Sequence, residues 1–310
     1  MPTNHEQPNE EQLTNQERRA TAKRKLDQQV QQRAEVARKR QLALLIAGAV
    51  VAVSMIVGVV FVVLHDSGDS GNINAKHASP ADTSDSADEP AQPPAGTGKL
   101  PNFTASPQLG ANCQYPKARP ASKKVEAPRS GKVPTDPAEV SVSMMTDQGP
   151  IGLILNNGQS PCTVNSFMSL ANRGFFDGTH CHRLTTAATL GVLQCGDPAG
   201  DGTGGPGYQF ANEYPTDQYQ PDDPAVEQPV LYPRGTLAMA NAGPGTNGSQ
   251  FFLVYKDSYL PPQYTVFGKI QQDGLDTLDK IAAAGVAPGS RNIDDGPPAT
   301  KVTIKSIRAD

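Results

Sequence analysis

An apolar run from Leu42 to Leu64 constrains this chain more than any other segment: 23 residues with one polar interruption, Ser54. A helix needs about 20 such residues to cross a bilayer. A cleaved signal peptide has an apolar core of roughly 7–15 residues behind a short basic lead. Here the run and its lead are both longer than that. Arg18, Arg19, Lys23, Arg24, Lys25, Arg33, Arg38, Lys39 and Arg40 precede the run, and Asp66 and Asp69 follow it. Cytoplasmic flanks collect Lys and Arg. The pattern predicts a single-pass transmembrane helix in the cell membrane, with a cytoplasmic N-terminus and everything after Leu64 extracytoplasmic.

That anchor divides the chain into four parts. Residues 1–41 form a basic cytoplasmic segment. Residues 42–64 are the membrane span. Residues 65–136 are rich in Pro, Ala, Ser, Gly and Asp, with Ser79-Pro80, Glu89-Pro90 and Pro93-Pro94. That is the composition of a disordered tether. Only 37% of the 310 residues are hydrophobic and 28 are proline, which confines a packed core to part of the chain. The formal net charge of −4 is mild and points to no nucleic-acid partner. All four cysteines, Cys113, Cys162, Cys181 and Cys195, follow the span, in a space that permits disulfides. Sequence alone leaves three connectivities open. Cys113 lies in the tether, where a cysteine has little use unless it pairs, so a staple to the folded part is expected.

Residues 137–310 read as one mainly β domain. Val140, Val142 and Met144 alternate with Ser141, Ser143 and Met145, the period of a half-buried strand. Ile151 to Leu155 reads as a second strand. Pro161 suits a helix start, and Val164, Phe167, Met168 and Leu170 follow at helical spacing. Leu275, Leu278, Ile281 and Ala282 mark a second helix, closed by Gly285. Thr300 to Ile307 is a final alternating strand. Strands at both chain ends predict a closed antiparallel barrel capped by two helices, since closure removes the sheet edges.

Several motifs lead nowhere. Gly200 to Gly205 fits GxGxxG, but Pro206 and Gly207 follow it, so no helix starts there to bind a phosphate. His180-Cys181-His182 with Cys195 has the residue types of a metal site, yet strand alternation splits the set across two faces. There is no GxSxG. Neither a metal nor a cofactor is expected.

The run Leu237 to Phe252, LAMANAGPGTNGSQFF, carries no acid, base or thiol. It offers backbone groups, amide side chains and aromatic surface beside several glycines, which suits gripping an extended peptide. It closely resembles the signature segment of the cyclophilins, a family of peptidyl-prolyl cis–trans isomerases. The resemblance extends over residues 138–310, through Phe175-Phe176-Asp177-Gly178-Thr179-His180-Cys181-His182-Arg183 and Leu193-Gln194-Cys195-Gly196-Asp197. It implies a cyclophilin-like barrel that works without a cofactor on proline-containing unfolded or extended polypeptides. Arg183, Gln194 and Asn241 take the catalytic positions. His182, Val192, Gly202, Ala240, Ala242, Gln250, Phe252, Tyr259, Leu260 and Tyr264 take the substrate-binding ones.

The match has departures. The segment between Arg183 and Gln194 is about three residues longer than usual in the family and lacks its aromatic, which predicts a shallower proline pocket. Tyr259 stands where cyclosporin-sensitive members have tryptophan, so a cyclosporin-type ligand is expected to bind weakly. Asn212 to Pro233 is a Pro/Asp-rich insertion expected to form an external loop. Strand alternation from Arg183 and Gln194 turns Cys181 outward and Cys195 inward, which disfavours a bond between them. Two functions follow: an isomerase assisting the folding of extracytoplasmic proteins or, alternatively, a proline-peptide binding module with vestigial catalysis.

Overall fold

A computed structural model describes residues 98–310. The segment 1–41, the expected span 42–64 and the first part of the expected tether lie outside the described residues. The elements run β1 (Gly98–Lys99), β2 (Val140–Thr146), β3 (Pro150–Leu155), α1 (Pro161–Asn172), β4 (Arg183–Ala187) and β5 (Leu190–Cys195). They continue as β6 (Val230–Tyr232), β7 (Thr236–Met239), β8 (Phe251–Lys256), β9 (Ser258–Leu260), β10 (Val266–Ile270), α2 (Gln272–Ala283), β11 (Asp295–Gly296) and β12 (Ile304–Ala309).

The sheet is open, which corrects the expected closed barrel. Nine strands lie in the order β11-β4-β5-β8-β7-β10-β3-β2-β12. The terminal strand β12 does pair with β2, but no ladder joins β12 to β11 or β4 among the described residues. The lead into β4 meets the start of β12 only as an isolated bridge, His180 with Thr303, flanked by backbone hydrogen bonds from Gly178 to Ile304, Ile304 to Thr179 and Cys181 to Val302. The cause is local: β11 has two residues, and Pro297 and Pro298 follow it without the N–H groups a ladder needs. The membrane-spanning helix in that expectation also finds no counterpart among the described residues. No helix there is long and apolar enough to cross a membrane.

Burial follows the alternation read from β2, where Val142 and Met144 are buried while Ser141 and Met145 are exposed. β8 shows no such alternation: Phe251 to Tyr255 are all buried. Phe251, Leu253 and Tyr255 enter the main core, while Phe252 and Val254 enter a second apolar cluster on the opposite face. A small sheet, β1-β6-β9, contributes Val230, Tyr232 and Leu260 to that second cluster. A strand covered on both faces needs apolar residues throughout. The insertion Asn212 to Pro233 is therefore more than a loop. Its exposed middle carries two short 3₁₀ turns, but Glu213, Tyr214, Val230 and Tyr232 are buried at its two ends.

The segment before β2 runs as a strap over the domain. Cys113 is bonded to Cys162 at the start of α1. Tyr115 is buried and donates to the Cys162 carbonyl at 2.7 Å. Lys123 Nζ donates to the carbonyls of Gly174 and Phe175, each at 2.8 Å, just past the end of α1. There the positive end of the side chain meets the negative end of the helix. Low apolar content hides this docking, because the strap adheres by hydrogen bonds, one covalent link and only a few apolar anchors, Tyr115 and Val133 among them.

Cys181 and Cys195 are bonded to each other, against the expectation from alternation. Both belong to the main core. β4 begins only at Arg183, so Cys181 precedes the ladder and the pleat does not dictate its direction.

Candidate active site

The lengthened segment after Arg183 makes a regular hairpin. Arg183 pairs with Gln194, and successive pairs run out to Ala187 with Leu190. The extra residues thus lengthen the two arms and leave the register at Arg183 intact. One row across the sheet then joins the central residues: Arg183 opposite Gln194, Gln194 opposite Phe252, and Phe252 opposite Ala238.

Hydrogen bonds connect the polar members of that row. Arg183 Nη1 donates to Gln194 Oε1 at 3.2 Å, and Gln194 Nε2 donates to Gln250 Oε1 at 2.9 Å. Gln250 Nε2 donates in turn to the carbonyls of Gly202 and Gly204, at 3.0 and 2.9 Å. The glycine loop is held from below by Asp197. This carboxylate is fully buried and accepts from the amides of Ala199 and Gly202, each at 2.7 Å. A Cβ on Gly204 would lie 1.9 Å from Asp197 Oδ1, so only glycine lets the loop approach its support.

Asp295 completes the set, and the sequence reading did not include it. Its Oδ1 and Oδ2 accept from Arg183 Nε and Nη2, both at 2.7 Å. The Arg183 guanidinium holds the Asp295 carboxyl below the usual carboxylate range. The same pairing raises Arg183 further above its ordinary value. The two adjacent acids Asp294-Asp295 between glycine-bounded turns were the available signal.

Below the row lies the apolar part. Phe252 and Val192 are both buried, 4% and 3% exposed, in the second apolar cluster. Tyr264 meets Phe252 edge-on, with ring centroids 5.7 Å apart. Leu260 and Ala240 pack against the same cluster. Tyr259 pairs with Leu231 in the small sheet, and its N–H donates to the Thr189 carbonyl at 2.9 Å. Beside Gln194 and Gln250 opens a cavity of about 420 Å³, lined also by Gly202, Ala240, Asn241 and Ala242. Ala118, Arg119 and Pro120 of the strap form part of its wall.

Two of the expected residues are placed differently from the rest. The Asn241 amide is engaged within its own surroundings, donating to Gln263 O at 2.8 Å and accepting from Gly243 N at 3.1 Å. What it offers a peptide is its stretch of backbone. The His182 ring lies beneath the glycine loop, 3.6 Å from where a Gly202 Cβ would be. Neither ring nitrogen has a hydrogen-bond partner among the described residues. Burial holds its imidazole below the ordinary histidine range, with Asp197 partly opposing.

An arginine held by Asp295 and Gln194, an apolar cluster around Phe252 and a cavity beside Gln194 and Gln250 form one site with no nucleophile among these groups. The family model for cyclophilin type peptidyl-prolyl cis-trans isomerase/CLD matches residues 141–309. The chain belongs to this family, and it is an enzyme, a peptidyl-prolyl cis–trans isomerase. It is 65% identical over 298 residues to a probable peptidyl-prolyl cis-trans isomerase B of Mycobacterium leprae, covering 96% of this chain and 99% of that one. A protein of the same description from Mycobacterium tuberculosis is 71% identical over 212 residues, 68% of each chain. The peptidyl-prolyl cis-trans isomerase B of Streptomyces anulatus is 35% identical over 187 residues, covering 54% of this chain and 95% of that one.

Proposed function

We propose that Arg183 is the electrostatic catalyst and that the enzyme acts on extracytoplasmic polypeptides from a membrane anchor at residues 42–64. The barrier to amide rotation is about 18–20 kcal/mol, and free X–Pro bonds take roughly tens to hundreds of seconds to turn over. In the twisted state resonance is lost, and the imide nitrogen becomes pyramidal and can accept a hydrogen bond. A guanidinium aimed there binds that state better than either planar isomer, which lowers the barrier without a covalent step. Phe252 and Val192 carry the proline ring, Gln194 and Gln250 hold the flanking backbone, and Ala240 to Ala242 supply an edge for the extended chain.

The single observation that carries this reading is the row Arg183–Gln194–Phe252, which sets cation, amide and apolar floor side by side in fixed register. A protease-coupled assay on a proline tetrapeptide tests it: Arg183→Ala should lose most turnover, and unchanged turnover would refute the assignment. The anchor rests on the length of the apolar run and the basic residues before it. Protease added to intact cells should remove the C-terminal domain; clipping confined to the N-terminal segment would reverse the topology. With Tyr259 at the rim, a cyclosporin-type ligand binds weakly.

A further inference from the structure

Asp295 lies outside the motifs quoted for the family resemblance, yet it holds Arg183 through two contacts of 2.7 Å. It stands in β11, the edge strand beside β4. Both of its oxygens engage Arg183, on Nε and on Nη2. The side chains are 39% and 35% exposed. Exposed ion pairs contribute about 0–1 kcal/mol to folding, so stability is a weak reason for this geometry.

The geometry does have a strong effect on the arginine. A free Arg side chain carries about 2 kcal/mol of rotamer entropy. A two-pronged carboxylate fixes the plane of the guanidinium as well as its distance. Gln194 holds the other edge, at Nη1. Of the five N–H donors on the group, these contacts use three, and one on each Nη stays available to a substrate. The clamp is itself anchored on the strand it serves. Asp295 pairs with Thr185 and Gly296 with Leu184. Thr186 donates from its N–H to the Asp294 carbonyl at 2.9 Å and from its Oγ1 to Asp294 Oδ1 at 3.0 Å.

We propose that Asp295 is a positioning residue: it locks the Arg183 guanidinium in the plane from which it meets the twisted imide. The inference rests on the assignment of Arg183 as the catalytic group. Without the carboxylate the arginine samples other rotamers, and the loss falls on the transition state, since planar substrate makes little use of that contact.

The test is a double-mutant cycle on the full chain in the protease-coupled assay, with Asp295→Ala, Arg183→Ala and both together. Asp295→Ala should lower kcat by about tenfold with KM within about twofold, and should lower it no further in the Arg183→Ala background. Asp295→Asn, of nearly equal volume, should fall between parent and Asp295→Ala, and it serves if the alanine variant folds poorly. Normal kcat in Asp295→Ala beside a crippled Arg183→Ala overturns the clamp alone. An equal loss with and without Arg183 also overturns it, since that marks a structural role. Full turnover by Arg183→Ala overturns the clamp together with the assignment of Arg183.

Discussion

Arg183 and Gln194 face one another across the β4–β5 ladder, and the Arg183 Nη1 donates to Gln194 Oε1 at 3.2 Å. The amide thereby takes its orientation from the arginine, which leaves Gln194 Nε2 for Gln250. Removing the arginine deletes the cation and frees the amide at once. Loss of one well-placed donor to developing charge costs roughly a hundredfold or more. Arg183→Ala should therefore lower kcat/KM by about two orders of magnitude with little change in melting temperature. Gln194→Ala should act more on KM, because its role is to hold planar substrate. Steady-state kinetics on both variants check the split, and an Arg183→Ala enzyme that melts far below the parent would make its loss of activity uninformative about chemistry.

Glu213 makes stability depend on pH. It caps α1 from outside, accepting from Cys162 N at 3.0 Å and from Thr163 N and Oγ1 at 2.7 Å. The local residue Ser160 makes no capping bond and donates instead to Val266 O at 2.8 Å. Burial pushes the Glu213 carboxyl up from 4.5 to about 7, and the hydrogen bonds pull against that rise. Between those values the folded chain keeps a proton that the unfolded chain has released, so stability falls as pH rises through that window. A shift of this size corresponds to about 3 kcal/mol. His182, held low by burial, acts in the opposite sense, losing stability as pH falls below its ordinary range. The comparison is therefore between the parent and Glu213→Gln. Urea unfolding at pH 5 and pH 8 should show a steeper loss in the parent, and identical slopes would dispose of this account.

Some of this was legible in the chain and some was not, for physical reasons. The order Arg183, Gln194, Gln250, Phe252 can be read because the segments that carry the family resemblance contain or adjoin all four residues. The helices were legible because Pro161 and Gly285 mark a start and an end with local chemistry. The row across the sheet was not, because register depends on partners far apart in sequence. The open edge was missed because Asp295-Gly296 is too short to show a period. The Cys181–Cys195 bond was misjudged because alternation was carried past the first residue of β4. Glu213 and Asp295 leave no periodic trace: each works on a residue distant in the chain.

Tyr259 stands where the family resemblance puts the rim of the proline site. Its backbone is fixed by Leu231 across the small sheet and by the Thr189 carbonyl, so a larger ring at this position should keep the same entry angle. Tryptophan adds apolar area and an indole N–H donor where tyrosine has a hydroxyl. Tyr259→Trp should tighten inhibition by cyclosporin about tenfold, equivalent to about 1.4 kcal/mol, with proline-peptide turnover close to the parent. Inhibition constants for the two enzymes decide it. Nanomolar inhibition of the parent would show that the rim ring is not the limiting contact.

The disulfide between Cys113 and Cys162 ties the strap to α1 across a sequence separation of 49. Its larger effect is on the unfolded chain, where it closes a long loop and removes entropy worth about 4 kcal/mol. In the folded state the strap has further holds: Tyr115 on the Cys162 carbonyl, Lys123 past the end of α1, and reciprocal bonds between Ser122 and Gly205. The double variant Cys113→Ser with Cys162→Ser should therefore remain folded with its strap docked, but unfold at lower urea, with up to about 4 kcal/mol less stability. Hydrogen exchange should rise in residues 98–139 before it rises in β8 or β10, since the strap then opens without the core. The glycine loop should loosen with it, because Ser122 is one of its supports, and KM should rise more than kcat falls. An unchanged urea midpoint, or exchange that rises first in the core strands, would show that the disulfide is not what holds the strap in place.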